Sequence, residues 1–337
     1  MMKRNLCVFI AVAAVIALFV PAGSARAQSY TVTGDLSATG VSALSGPQTY
    51  TGSLSNLFDT VSGEAMYVNN NLPTGSYNDM VANQDYIVAT SSTGQIATFS
   101  VGEITVGNNS VGSYSASNGS ANNIQIGGSA ATGFTISGPG QSLSNVTNIN
   151  VVHTTMPAGS GGWSSSLTIQ NNGATAATYN AGAYSSQTGV LPGSFTALTG
   201  QEAWTYAGNQ YTGVSLLSML QSAGINTNNL NQYVIATGTD GGEAVLSMAE
   251  IVQNDGTTFN NGTYTGTGSD MVAYLLNGSG LASNRGYFRL VLPTDTSSAR
   301  SIFTLTSLDV VPTPVPASLL LFGPGLAGLA VLRRRFM

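Results

Sequence analysis

Glu103 and Glu250 each stand three residues after a serine, Ser100 and Ser247. Such carboxylates could serve as general acid or base. The S-x-x-E spacing favours a different use, a capping box. There the serine accepts a backbone N–H and the glutamate reaches back to the serine's own N–H. Three arginines, Arg285, Arg289 and Arg300, are the remaining chemically useful group. Converging on one pocket, they would bind a small anion or a pterin-like phosphate. Alternatively, Arg289 and Arg300 cap loops or pair with Asp295 and Asp309. The one histidine, His153, opens a Gly/Ser/Pro segment, HTTMPAGSGGWSS, and reads as an exposed linker residue. A single linker histidine cannot activate a nucleophile in either half of the chain. Asp240-Gly241-Gly242-Glu243 lacks the spacing of an EF-hand and reads as a tight turn between two strands. No G-x-x-x-x-G-K-[ST] loop is present, because Lys3 is the only lysine. On these grounds no catalytic, cofactor-binding or metal-binding residue is assigned, and no cofactor is expected.

The two ends of the 337-residue chain are distinct from its middle. Lys3 and Arg4 precede an apolar run from Leu6 to Val20, and Ala25-Arg26-Ala27 has the A-x-A form of a cleavage site. This predicts a secretory signal peptide over 1–27, with a mature start near Gln28. Cys7, the only cysteine, lies inside it, so the exported part is expected to carry neither disulfide nor thiolate ligand. At the other end a spacer with Pro312, Pro314 and Pro316 leads into an uncharged stretch from Ala317 to Leu332, then Arg333, Arg334 and Arg335. As a helix that stretch would rise about 24 Å, slightly short of a roughly 30 Å hydrocarbon core. The order of spacer, apolar stretch with Phe322-Gly323, and arginines resembles the PEP-CTERM sorting tail, with Pro314-Val315-Pro316 as its motif. That resemblance implies signal peptidase and an exosortase as partners during export. It also implies transient anchoring in the inner membrane, then a place in the cell envelope or outside the cell.

Between the ends only the three arginines remain against 14 acidic residues, a net charge of about −11. Nucleic acid is excluded as a partner, because phosphate neutralisation needs Lys and Arg. Charged residues make up 7% of the chain, against roughly a quarter in ordinary domains. Polarity comes instead from Ser, Thr, Asn and Gly, a neutral hydrogen-bonding surface that suits an extracellular setting.

An internal repeat organises this middle part. Residues 86–104, YIVATSSTGQIATFSVGEI, align without gaps to 233–251, YVIATGTDGGEAVLSMAEI. Flanking blocks recur in the same order: 44–61 answers 198–224, and LSNVTNINVV (143–152) answers IFTLTSLDVV (302–311). This predicts duplicated domains over 28–152 and 164–311, joined by a linker over 153–163, with a sorting segment over 312–337. YIVAT and YVIAT read as buried strands. Leu54, Leu57, Phe58 and Val61 form one helical stripe, and Leu216, Leu217, Leu220 and Ala223 another, stopped by Gly224. Residues 105–142 and 253–283 read as loops or short edge strands.

The block order is similar to the sulfite-oxidase-type molybdopterin-binding domain. The second copy carries it best, in Tyr211-Thr212-Gly213-Val214, Gly238, Asp240-Gly241, Ser247, Glu250, Arg289-Leu290-Val291, Pro293 and Arg300. The first copy keeps Tyr50-Thr51-Gly52, Gly94, Ser100 and Glu103. The resemblance implies an α+β fold of two tandem mixed, β-rich domains with short helices, completed by the C-terminal hydrophobic helix. Family enzymes hold molybdenum through a cysteine thiolate, and the exported part has none. The expectation is therefore a non-catalytic exported protein associated with exopolysaccharide or a biofilm matrix. The alternatives are a module binding a small anion or pterin-like ligand and, less favoured, a residual molybdopterin-dependent oxidoreductase.

Overall fold

The structure, a computed structural model, describes residues 29–34, 48–50, 84–100, 125–129, 131–138, 140–154, 159, 161–163, 165–180, 195, 197–206, 208–254, 259–260, 263–264, 269–281, 286–293 and 300–314. These are strand-rich, 58% strand and 9% helix. Two α-helices have seven residues each, α1 (Leu216–Ser222) and α2 (Met248–Asn254). The expected α+β class with a C-terminal hydrophobic helix is therefore corrected. Among the described residues no helix is long and apolar enough to cross a membrane, and 317–332 lies outside them. The physical reason lies in the pattern of the chain. β-Branched and aromatic residues alternate over short runs closed by Gly and Asn, which leaves little room for a helix to nucleate and extend. The signal segment 1–27, the stripe 54–61 and Glu103 also lie outside the described residues.

The first half holds β1 (Tyr30–Gly34), β2 (Gln48–Tyr50), β3 (Asp85–Ser91), β4 (Ile96–Ser100), β5 (Gln125–Ser129), β6 (Gly133–Gly138), β7 (Gln141–Ser144) and β8 (Val146–His153). Five of these form a sheet in the order β2-β1-β8-β3-β4, and β5-β6-β7 form a second. The second half holds β9 (Ser166–Asn171), β10 (Ala174–Asn180), β11 (Gln201–Tyr206), β12 (Asn209–Ser215), β13 (Gln232–Gly238) and β14 (Glu243–Ser247). A ribbon of β15 (Phe259–Asn260) and β16 (Thr263–Tyr264) follows, then β17 (Met271–Leu276), β18 (Ser279–Gly280), β19 (Arg289–Val291) and β20 (Leu305–Pro312). One sheet has the order β10-β9-β20-β13-β14, and another runs β11-β12-β17-β18 with β19 also on β17.

The two large sheets share one wiring. β1 pairs in parallel with β8, as β9 does with β20. Tyr86 faces Ser100 and Val152, and Tyr233 faces Ser247 and Val311. Both ladders shift register at one place, between Thr90 and Ser91 and between Thr237 and Gly238. The hairpin turns match as well. Gly94 has φ 81° and Gly241 φ 84°, each donating its N–H three residues back, to Ser91 and Gly238. A side chain at either glycine would meet its own backbone in this left-handed conformation.

Burial explains why the hairpin strands read as nearly continuous apolar runs. In β13, Val234 and Ala236 point into a core with Leu167, Ile169, Leu246, Val272, Phe288, Leu290, Leu308 and the α1 side chains Leu216, Met219 and Leu220. Tyr233 and Ile235 point the other way, where they meet Tyr86, Val88, Val152, Val245 and Val311. The two large sheets thus stack face to face, and each is covered on both sides. On the far side of the first sheet, Tyr30 meets Phe134 of β6 edge to face at 4.9 Å.

Helix α1 begins at Ser215, whose side chain accepts the Ser218 N–H, and Gly224 leaves it with φ 79°. Two expectations are corrected in this region. β17 is no edge element, because Met271, Val272 and Ala273 are fully buried and the strand pairs with β12, β18 and β19. The stretch 125–144 likewise supplies a three-stranded sheet.

Candidate functional site

A buried ion pair, Arg300 with Glu250, lies where the two large sheets meet. Arg300 lies just ahead of β20, and Glu250 lies in the first turn of α2. Their side chains are almost completely buried, at 0% and 1% exposure. Arg300 Nη2 lies 2.5 Å from Glu250 Oε1, and Nη1 lies 3.1 Å from Oε2. Nη1 also donates to Ser100 Oγ at 3.1 Å, and that hydroxyl donates onward to the Val245 carbonyl at 2.8 Å. One bidentate ion pair in the second copy thereby reaches the last residue of β4 in the first. Ser247 Oγ accepts the Glu250 N–H at 3.1 Å, which is one half of the expected capping box. The other half is corrected: the Glu250 carboxylate turns to Arg300, because a guanidinium sealed beside it offers two charge-assisted bonds. Asp309 Oδ1 accepts the Gly173 N–H at 3.0 Å. Asp295 lies outside the described residues.

Across the ladders from Ser100 and Ser247, Tyr86 stacks on its counterpart Tyr233, with centroids 4.0 Å apart and planes at 24°. Burial pushes both phenols above their usual range, and for Tyr86 the Tyr233 hydroxyl adds to the shift. Thr154 and its counterpart Thr313 each cross to the opposite hairpin. Thr154 Oγ1 donates to Glu243 Oε1 at 2.5 Å, and Thr313 Oγ1 lies 2.6 Å from Thr98 Oγ1. Burial raises the Glu243 carboxyl, opposed by the Thr154 hydroxyl and His153. Its Oε2 is buried with no hydrogen-bond partner among the described residues.

His153 corrects a second expectation. It ends β8 rather than opening a linker, and its Nδ1 lies 2.7 Å from Oδ1 of the fully buried Asp85. The side chain is 23% exposed. The pairing is a matter of register, since His153 stands directly opposite Asp85 across the ladder. β20 runs through Pro312, which pairs with Gln232, and Thr313 is buried at 4% exposure in the contact between sheets.

Two of the three arginines lie among the described residues. Arg289 lies with its guanidinium carbon 3.9 Å from the Phe303 ring centroid and 5.0 Å from that of Tyr211, and it donates to the Tyr211 hydroxyl. Arg300 is committed to Glu250, and Arg285 lies outside the described residues. Of the sorting residues, Pro314 is exposed, whereas Val315, Pro316 and Arg333 to Arg335 lie outside the described residues, as do Ala25 and Ala27. No group of three or more His, Cys, Asp and Glu side chains suited to a metal occurs among the described residues. Sequence reasoning missed Asp85, Thr154, Glu243 as a buried carboxylate, and the Tyr86–Tyr233 pair. The available signal was the tyrosine that heads each repeat, at a position that alternation turns away from the core. No family model matches the chain, and no curated protein is significantly similar to it.

Proposed function

We propose that this is a non-catalytic exported protein of the cell envelope or extracellular matrix, associated with exopolysaccharide and released by an exosortase from a PEP-CTERM-type tail. The observation that carries the reading is the use made of the charged side chains. Arg300 and Glu250 neutralise one another where the two sheets stack, the Asp85 carboxylate meets the His153 ring, and Arg289 is packed between two rings. Groups spent in this way fasten the fold and are not poised for a substrate. The terminal segments supply the export signals, and a neutral Ser/Thr/Asn/Gly surface suits a hydrated glycan. The resemblance to a molybdopterin domain concerns turn glycines and core positions, which specify a fold and not a reaction.

The test is elemental analysis of the protein purified from a host that makes the molybdenum cofactor. The reading expects background molybdenum. About one atom per chain would overturn it and move the function to an oxidoreductase.

A further inference from the structure

Trp163 is 53% exposed and presents a large aromatic ring with a polar N–H to solvent. The structure holds it in place. The ring meets Tyr287 edge to face, with centroids 6.5 Å apart at 89°. The chain before it is clamped to the β13–β14 turn. The Gly161 N–H donates to the Thr239 carbonyl at 2.8 Å, and the Thr239 hydroxyl donates to the Gly162 carbonyl at 2.6 Å. Gly159 passes so close that a Cβ there would stand 2.6 Å from the Asp240 carbonyl carbon. Asp240, on the same turn, is exposed, and its Oδ1 accepts the Gly242 N–H at 3.0 Å.

Against this turn lies Thr304. Its φ is 53°, a left-handed conformation that costs a β-branched residue energy and tends to persist at functional sites. It is 7% exposed, and its buried Oγ1 has no hydrogen-bond partner among the described residues. Its carbonyl accepts the Thr239 N–H at 3.1 Å. Gly286, next to Tyr287, approaches so closely that a Cβ would stand 2.7 Å from Thr304 Cα. Trp163, Tyr287, Asp240 and Thr304 thus gather around one turn. The equivalent backbone in the first copy holds Asn145 at φ 55°, a residue that accepts this conformation cheaply. Thr93 stands there in place of Asp240.

We infer that this turn of the second copy is a binding subsite for a neutral polysaccharide. An exposed indole offers the flat face on which a sugar ring packs its C–H groups. A carboxylate on the same turn accepts hydrogen bonds from sugar hydroxyls. A net charge of about −11 between the terminal segments, and −5 over the whole chain, with Asp240 at the site itself, repels polyanions. The inference rests on the matrix reading above and names the chemistry of its partner.

The test is native affinity electrophoresis of the full chain in gels containing hydroxyethyl cellulose, glucomannan, galactomannan or alginate. At least one neutral glycan is expected to retard the protein, and alginate is not. Trp163→Ala should weaken retardation about ten-fold and Asp240→Asn should weaken it too, while Trp163→Phe keeps it within about three-fold because the ring face survives. Thermal melts of each variant separate lost binding from lost folding, and if the alanine variant unfolds, Asp240→Asn against Trp163→Phe decides. Equal retardation of wild type and Trp163→Ala, or no retardation by any neutral glycan, overturns the subsite. A protein found in the matrix but not retarded sinks the subsite alone. A protein never exported sinks the matrix reading, whatever the gels show.

Discussion

Glu250→Ala separates two accounts of one glutamate. If the residue only completed a helix cap, truncation would cost about 0.5–2 kcal/mol. The structure gives it a larger role. Its carboxylate and the Arg300 guanidinium are 1% and 0% exposed and meet through two contacts, at 2.5 and 3.1 Å. Truncation strips a sealed guanidinium of its counter-charge, and breaking a buried pair from one side costs about 3–5 kcal/mol. The Ser247 cap accepts a backbone N–H and survives the substitution, so it does not contribute to the loss. Replacing both partners with apolar side chains, Glu250→Leu with Arg300→Met, leaves no orphaned charge and should cost less than Glu250→Ala alone. Because Arg300 also reaches Ser100, the single variant should loosen the first copy from the second. Urea unfolding followed by circular dichroism measures the loss. A cost under about 2 kcal/mol for Glu250→Ala would place the residue back in the cap and refute the ion-pair account.

Two further predictions concern the same contact. The Glu243 carboxyl is raised by burial, so its contribution is fully present below the ordinary carboxylate pKa and is lost as pH rises through the raised value. Glu243→Gln keeps an oxygen for the Thr154 hydroxyl and should exceed wild type in stability at neutral pH, the difference vanishing in acid. A difference that does not change with pH contradicts the assignment. The Tyr86–Tyr233 stack should show a coupling of about 0.5–1.5 kcal/mol in a double-mutant cycle to leucine, and strict additivity would mean that the rings do not share their stability.

The local elements were legible in the sequence because local rules govern them. YIVAT and YVIAT are β-branched and aromatic runs and lie in β3 and β13. Leu216, Leu217 and Leu220 mark the buried side of α1, and Ser247 marks the start of α2. What the sequence could not show is which distant group each side chain meets. Glu250 finds Arg300 across 50 residues, and the Asp85–His153 pair depends on the register between β3 and β8. Alternation shows that Tyr233 faces away from Val234 but not that another sheet covers it. β17 was hidden by its setting, because Gly and Asn close around MVAYLL and give its fully buried core the look of a loop.

Export and processing are the claim on which the functional reading depends, and intact-mass spectrometry of the protein recovered from the extracellular matrix fraction tests them most directly. The account predicts a chain that begins near Gln28 and has lost the arginine cluster Arg333-Arg334-Arg335 with its preceding apolar stretch. Full-length chain confined to the inner membrane of a strain that has an exosortase would contradict it.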